Sequence, residues 1–214
     1  IPVESNISED LFSLRPATPR FRLVVDGTQT ALSATLYAEY GIVQLIAARD
    51  EALGHFSIPS GEDFLEFEVR NPAAEEAALE ILKPTGFRGR RGDMLTQIRG
   101  TREVLNFLGG GLPRLRRCGW RVDLDGMVAA FMDQAEFTMP VVHINSSGAG
   151  FFDVGYEYES QGGQSLDDSE IQRAINMGEA FVEKKGRTFL LDIDAIETAR
   201  DVFSDCAVGP GEAA

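Results

Sequence analysis

Two cysteines, two histidines and one tryptophan are all that 214 residues supply of these types. Two cysteines, Cys118 and Cys206, make no disulfide framework, so a reducing compartment, the cytoplasm, is expected. Each sits at the end of an element and reads as a small buried hydrophobe rather than a nucleophile. His55 and His143 stand far apart with no cysteine at ligand spacing, and a zinc site needs about four such ligands. Two histidines also offer no Ser-His-Asp or Cys-His pairing. No run of about 18 apolar residues exists to span a membrane, and no charged n-region precedes an apolar h-region.

The motifs of nucleotide chemistry are missing too. No Gly-Lys pair occurs, so there is no Walker-type phosphate loop, and Asp50-Glu51-Ala52-Leu53 reads as a loop accident rather than a magnesium motif. Gly109-Gly110-Gly111 follows a helical pattern, not a strand, and is expected to break or kink that helix. Asp192 and Asp194 flank the last strand and last helix, where capping is the expected role. His143 and Trp120 lie in apolar strand patterns and read as core residues. No catalytic residue, metal ligand or cofactor is expected.

What is present is an uneven charge. The chain carries 20 Lys and Arg against 34 Asp and Glu, a formal net charge of −14. Ten of the cationic residues fall between 83 and 121, against Asp93 and Glu103 alone, a local net of +8. Such lopsidedness marks a face for an anionic partner or for an acidic surface of the same protein. The candidate contact residues are Arg88, Arg90, Arg91, Arg99, Arg102, Arg114, Arg117 and Arg121. Arg88 to Gly92 spell Arg-Gly-Arg-Arg-Gly, a loop whose guanidinium groups can approach phosphates. On a helix Arg114 and Arg117 share a side while Arg116 points away.

The pattern predicts an α+β fold, mostly antiparallel strands with about four helices. Residues 1–19 read as an arm, 20–205 as the main domain with a possible division into 20–70 and 71–205, and 206–214 as the start of a linker. Strands are expected at 21–26, 31–40, 42–47, 64–69, 94–99, 120–124, 141–145, 151–159, 181–183 and 187–191. Residues 50–62 read as an irregular loop. Asn71-Pro72 opens a helix to about Lys83, with Glu75 and Glu76 suiting its positive end. Thr101 is expected to cap a second helix, Pro113 to restart it, Asp167 or Asp168 to cap a third, and Ile193 to start a closing one. The first residue, Ile1, and the Gly-Pro-Gly tail suggest a piece of a longer protein.

Several of these segments, taken in order, form a wider likeness. Phe64 to Val69 leads into the helix with Glu75, Glu76, Leu79 and Leu82. Then come Phe107-Leu108, Leu112-Pro113-Arg114-Leu115, Gly119-Trp120-Arg121-Val122, Phe151-Phe152-Asp153, and the hairpin from Phe181 to Leu191. Over about residues 60–205 this resembles the helicase-associated domain that precedes the motor in bacterial Swi/Snf-type ATPases. The resemblance implies a non-catalytic accessory or regulatory domain ahead of a DNA-dependent ATPase motor of the same polypeptide. The basic 83–121 region would then touch that motor or double-stranded DNA. Two other readings stand beside it. One is a stand-alone protein-interaction module. The other is an enzyme with a site around Asp153 and Glu157.

Overall fold

Alternation of apolar and polar residues writes the strands. In β2 (Arg20–Gly27) Leu23 and Val25 point inward, and in β3 (Ala31–Tyr40) Leu32, Leu36, Ala38 and Tyr40 do. The computed structural model describes residues 13–49, 57–59, 66–146, 152–160, 163 and 165–206. The remaining strands are β1 (Ser13–Pro16), β4 (Val43–Ile46), β5 (Ser57–Pro59), β6 (Glu66–Val69), β7 (Ile98–Arg99), β8 (Arg121–Gly126), β9 (Glu136–Ser146), β10 (Phe152–Ser160), β11 (Ser165–Leu166), β12 (Phe181–Lys184) and β13 (Arg187–Leu191). The helices are α1 (Pro72–Leu82), α2 (Thr101–Asn106), α3 (Leu112–Arg117), α4 (Met127–Met132), α5 (Asp168–Asn176) and α6 (Ile193–Cys206).

Three sheets result, ordered β1-β6-β5, β4-β3-β2-β8 with β7 on β3, and β11-β10-β9-β13-β12. The fold is α+β, and antiparallel pairs predominate, but β1–β6 and β13–β9 are parallel. Three expectations change here. Part of the N-terminal arm, Ser13–Pro16, is a strand, and the loop at 50–62 contains the strand Ser57–Pro59; both pair with β6. The strand expected at 94–99 shrinks to Ile98–Arg99. Helix α4 lies in a stretch that no side-chain cap or long period marks, since Gly126 precedes it.

Contacts divide the chain into two units, each discontinuous in sequence: residues 1–25, 33–97 and 119–123, and residues 26–32, 98–118 and 124–214. In the first, α1 presents positions 75, 78, 79 and 82 as its buried stripe, the spacing of one helix face. Asn71 caps it by accepting from the Ala74 amide at 3.1 Å and holds the Ala17 carbonyl through its own amide at 3.1 Å. Trp120 is buried against Phe21, with ring centroids 5.3 Å apart.

In the second unit, Tyr158, Leu166, Ile171, Ala174, Phe189, Leu191 and Ile196 form a core between the five-stranded sheet and its helices. Asp167 and Glu170 make a reciprocal capping box at the start of α5. The cap expected from Thr101 is not formed. Gly100 occupies that position, and no side chain caps α2. Nor does the glycine triplet break the helix. Residues Phe107–Gly111 make one wide π-turn that joins α2 to α3, with the Leu112 amide donating to the Phe107 carbonyl. The inserted residue keeps Leu108, Leu112 and Leu115 all buried. Gly109 is required there because a Cβ would fall 2.1 Å from the Ala180 carbonyl oxygen, a backbone atom with no rotamer to yield.

Gly109→Ala is therefore expected to lower stability by roughly 1–3 kcal/mol, the usual range for overpacking. Urea denaturation of the variant beside the parent chain measures it, and an unchanged midpoint would contradict the packing argument.

Candidate contact surface

The Arg-Gly-Arg-Arg-Gly loop is pinned by backbone bonds rather than free. Arg88 and Thr96 bond reciprocally: the Arg88 amide donates to Thr96 Oγ1 at 3.0 Å, and the Thr96 amide to the Arg88 carbonyl at 2.7 Å. Gly92 sits in a ring of three bonds. Its amide donates to the Ala47 carbonyl (2.7 Å), the Ala47 amide to the Leu36 carbonyl (3.0 Å), and the Leu36 amide to the Gly92 carbonyl (3.0 Å). A Cβ on Gly92 would lie 2.2 Å from the Leu36 oxygen. This glycine serves close approach, not looseness.

The segment 47–49 that receives the loop is itself held by a buried carboxylate. Glu75 is fully buried. Its oxygens accept from the Ala48 amide (2.6 Å), the Tyr40 hydroxyl (2.6 Å) and the Arg70 guanidinium (2.7 and 2.8 Å). Arg70 donates onward to the Arg49 carbonyl at 2.9 Å, and the Arg49 side chain reaches Asp93 in the loop at 3.3 Å. Burial alone would raise the Glu75 carboxyl; the Arg70, Tyr40 and Ala48 donors outweigh it and hold it below its ordinary value. Burial and the same carboxylate push the Tyr40 hydroxyl upward. Glu75 was legible from one signal: it occupies an apolar-stripe position of α1, where a charge demands partners.

The eight candidate arginines separate by unit and by partner. In the first unit Arg91 spends its guanidinium on Asp93 through two bonds of 3.0 and 2.9 Å, and Arg121 pairs with Asp123 at 3.1 Å. Arg88 and Arg90 are exposed, with no acidic partner among the described residues. In the second unit Arg102 pairs with Glu179 at 3.2 Å and donates to the Met177 carbonyl at 2.5 Å. Arg117 bridges Asp192 and Asp194, the latter at 2.7 Å. Arg99 is exposed on β7, and Arg114 is exposed on α3 without an acidic partner among the described residues. Among the described residues, at least four of the eight are thus neutralised. Such partly exposed pairs contribute roughly 0.2–1 kcal/mol each, which leaves their main effect on charge rather than on stability.

Other expectations resolve individually. Asp192 caps α6, its carboxylate accepting from the Ala195 amide at 3.2 Å, and takes Arg117 as well. Cys118 corrects its reading: it is exposed and free, because it follows the last turn of α3 rather than lying within it. His55 and the stretch Asp50-Glu51-Ala52-Leu53 lie outside the described residues, as does Phe151. His143, Asp153 and Glu157 are placed in β9 and β10 by their backbone. Among the described residues no cluster of three metal-ligating side chains occurs, and no helix is long and apolar enough to cross a membrane.

No protein-family model matches the chain, and neither a curated protein nor a solved structure matches it significantly.

Removing the Glu75 carboxylate takes from the mostly buried Arg70 guanidinium both of its bonds to that carboxylate. Glu75→Ala is expected to cost about 3–5 kcal/mol in urea denaturation. The pH dependence has a definite sign. The folded carboxyl titrates below the unfolded one, so its contribution is complete above the ordinary carboxylate range and is lost as pH falls through the folded value. The stability gap between the parent chain and Glu75→Gln should narrow on acidification; a gap that stays constant from neutral to acid pH would refute this.

Proposed function

We propose that the chain is a non-catalytic accessory domain whose Arg88–Arg90 loop contacts an anionic partner. In the terms of the Swi/Snf-type resemblance, it precedes a DNA-dependent ATPase motor in the same polypeptide. The partner is then double-stranded DNA or an acidic surface of that motor, in the cytoplasm. One observation carries the contact: Arg88 and Arg90 stay exposed without carboxylate partners among the described residues, in a chain of net charge −14. Asp and Glu outnumber Lys and Arg, so pairing within the chain is the default, and Arg91, Arg102, Arg117 and Arg121 follow it. A pinned backbone also presents the two free guanidinium groups at low ordering cost. The overall negative charge opposes a polyanion at long range, but screening over roughly 8–10 Å lets a local cationic loop act at contact.

The assay is the anisotropy of a labelled 20-base-pair duplex titrated with the chain at low and moderate salt. Binding is expected at low salt with a log–log salt slope of about −2, near −0.9 for each of two neutralised phosphates. Replacing Arg88 and Arg90 together by Ala should abolish it, whereas Arg117→Ala should leave it intact. A polyglutamate peptide run in parallel tests the acidic-surface arm. If neither polyanion binds at low salt, the contact role of this loop is wrong.

A further inference from the structure

The strand β12 lies at an open end of its five-stranded sheet, and its hydrogen-bonding phase is readable. Lys184 pairs with Arg187 across a two-residue turn, with positive φ at Lys185 (53°) and Gly186 (75°). Such a turn makes the closing pair a bonded one, and bonded pairs then alternate along the ladder. The Leu191 amide donating to the Ala180 carbonyl at 2.8 Å fits that phase. Phe181 and Glu183 therefore turn their N–H and C=O groups away from β13, toward the free edge. No described residue bonds to them there.

This edge is the floor of a cleft of about 560 Å³. Arg102 and Leu105 of α2 line one side, and Ala174 of α5 with Met177 just after that helix the other. The side chains of β12 divide accordingly. Val182 packs on the core beneath α5, and Lys184 pairs with Glu170 of α5 at 2.6 Å, so Phe181 and Glu183 take the opposite face. We infer that this cleft binds an extended peptide segment of a partner protein, added as a sixth strand beside β12, with a Lys or Arg opposite Glu183 and an apolar residue beside Phe181.

Hydrogen-bond geometry selects the class of ligand, since a row of alternating outward N–H and C=O groups is matched by another extended backbone. Charge selects the sequence. Glu170 and Glu179 already hold Lys184 and Arg102, and Arg173 adds a cation on the α5 side of the cleft. At the strand edge itself Glu183 is exposed with no cation among the described residues, so the preference for Lys or Arg is confined to the position opposite Glu183. A second copy of this chain is a poor occupant. In an antiparallel pairing of two β12 edges in the bonded phase, Glu183 meets Glu183, Glu179 or Phe181 of the other copy; the one register that sets it opposite a cation, Lys185, places it against a turn residue with φ 53° rather than extended strand. The net charge of −14 further favours a cationic segment over a second acidic chain. The cleft is built wholly from residues of the second unit and does not depend on the Arg88–Arg90 loop.

The probe is a library of random 12-residue peptides displayed on phage and selected on the full chain, with the Glu183→Pro variant as the counter-target. Proline removes the outward N–H, and edge strands tolerate it where that N–H has no partner. The expected product is a consensus with Lys or Arg two positions from an aromatic or β-branched residue. A synthetic consensus peptide should bind Glu183→Pro about tenfold more weakly by anisotropy, the loss expected for missing edge hydrogen bonds. Glu183→Arg should shift the selected consensus to Asp or Glu. Should Glu183→Pro fail to fold by circular dichroism, N-methylation of alternate amides in the peptide replaces it, with the same tenfold loss expected. Peptides that bind Glu183→Pro and the parent equally, or no consensus above the counter-target, would overturn the inference. So would a concentration-dependent dimer in sedimentation that Glu183→Arg disrupts.

Discussion

The carboxylate of Glu75 is the constraint on which the first unit depends. A charge with no solvent exposure is tolerable only when every lone pair is used. Here the donors come from Tyr40 of β3, from Ala48 in the segment after β4, and from Arg70 two residues before α1, so one side chain ties its helix to two segments distant in sequence and to its own approach. An apolar residue at the same position would pack the stripe of α1 but would take from the Ala48 amide and from Arg70 the carboxylate that accepts their bonds. The node thus makes the path of residues 47–49 specific, and that path in turn receives Gly92 and the arginine loop. The charged surface is organised from the interior outward.

Much of this fold is written locally. Period-two runs at 21–26 and 31–40, the Asn71-Pro72 start of α1, the Asp167 cap of α5 and the turn at Lys184-Lys185-Gly186 each state their own structure within a few residues. What escapes local reading depends on partners far away. Ser13–Pro16 is a strand because Glu66–Val69 lies beside it, and its exposed, proline-ended sequence carries no alternation to reveal that. The glycine triplet is a π-turn rather than a break because the Ala180 carbonyl approaches Gly109, a contact across 71 positions.

The candidate surface was legible in composition but not in pairing. Counting charges finds the excess between residues 83 and 121. It cannot tell that Arg117 meets two aspartates 75 and 77 positions later, or that Arg102 meets Glu179. Pairing among the described residues removes four of the eight candidate arginines and leaves Arg88 and Arg90 as the two unpaired cations that share one loop. The acidic side of the balance has its own counterpart in Glu183, a carboxylate with no cation among the described residues, on the terminal strand of its sheet. Opposite charges thus mark two separate candidate sites on one chain.

The interleaving of the two units in sequence bears on how the chain is made. Residues 119–123 complete the first unit, and 26–32 belong to the second, so neither matches a contiguous stretch of nascent chain. As the polypeptide leaves the ribosome, the first unit lacks its last segment until Arg121 and its neighbours have emerged. By then β2 and β3 have long been outside with the seat of β8 beside β2 unfilled. Chaperone capture during synthesis would fall in that interval, and no single backbone cleavage would divide the chain into its two halves.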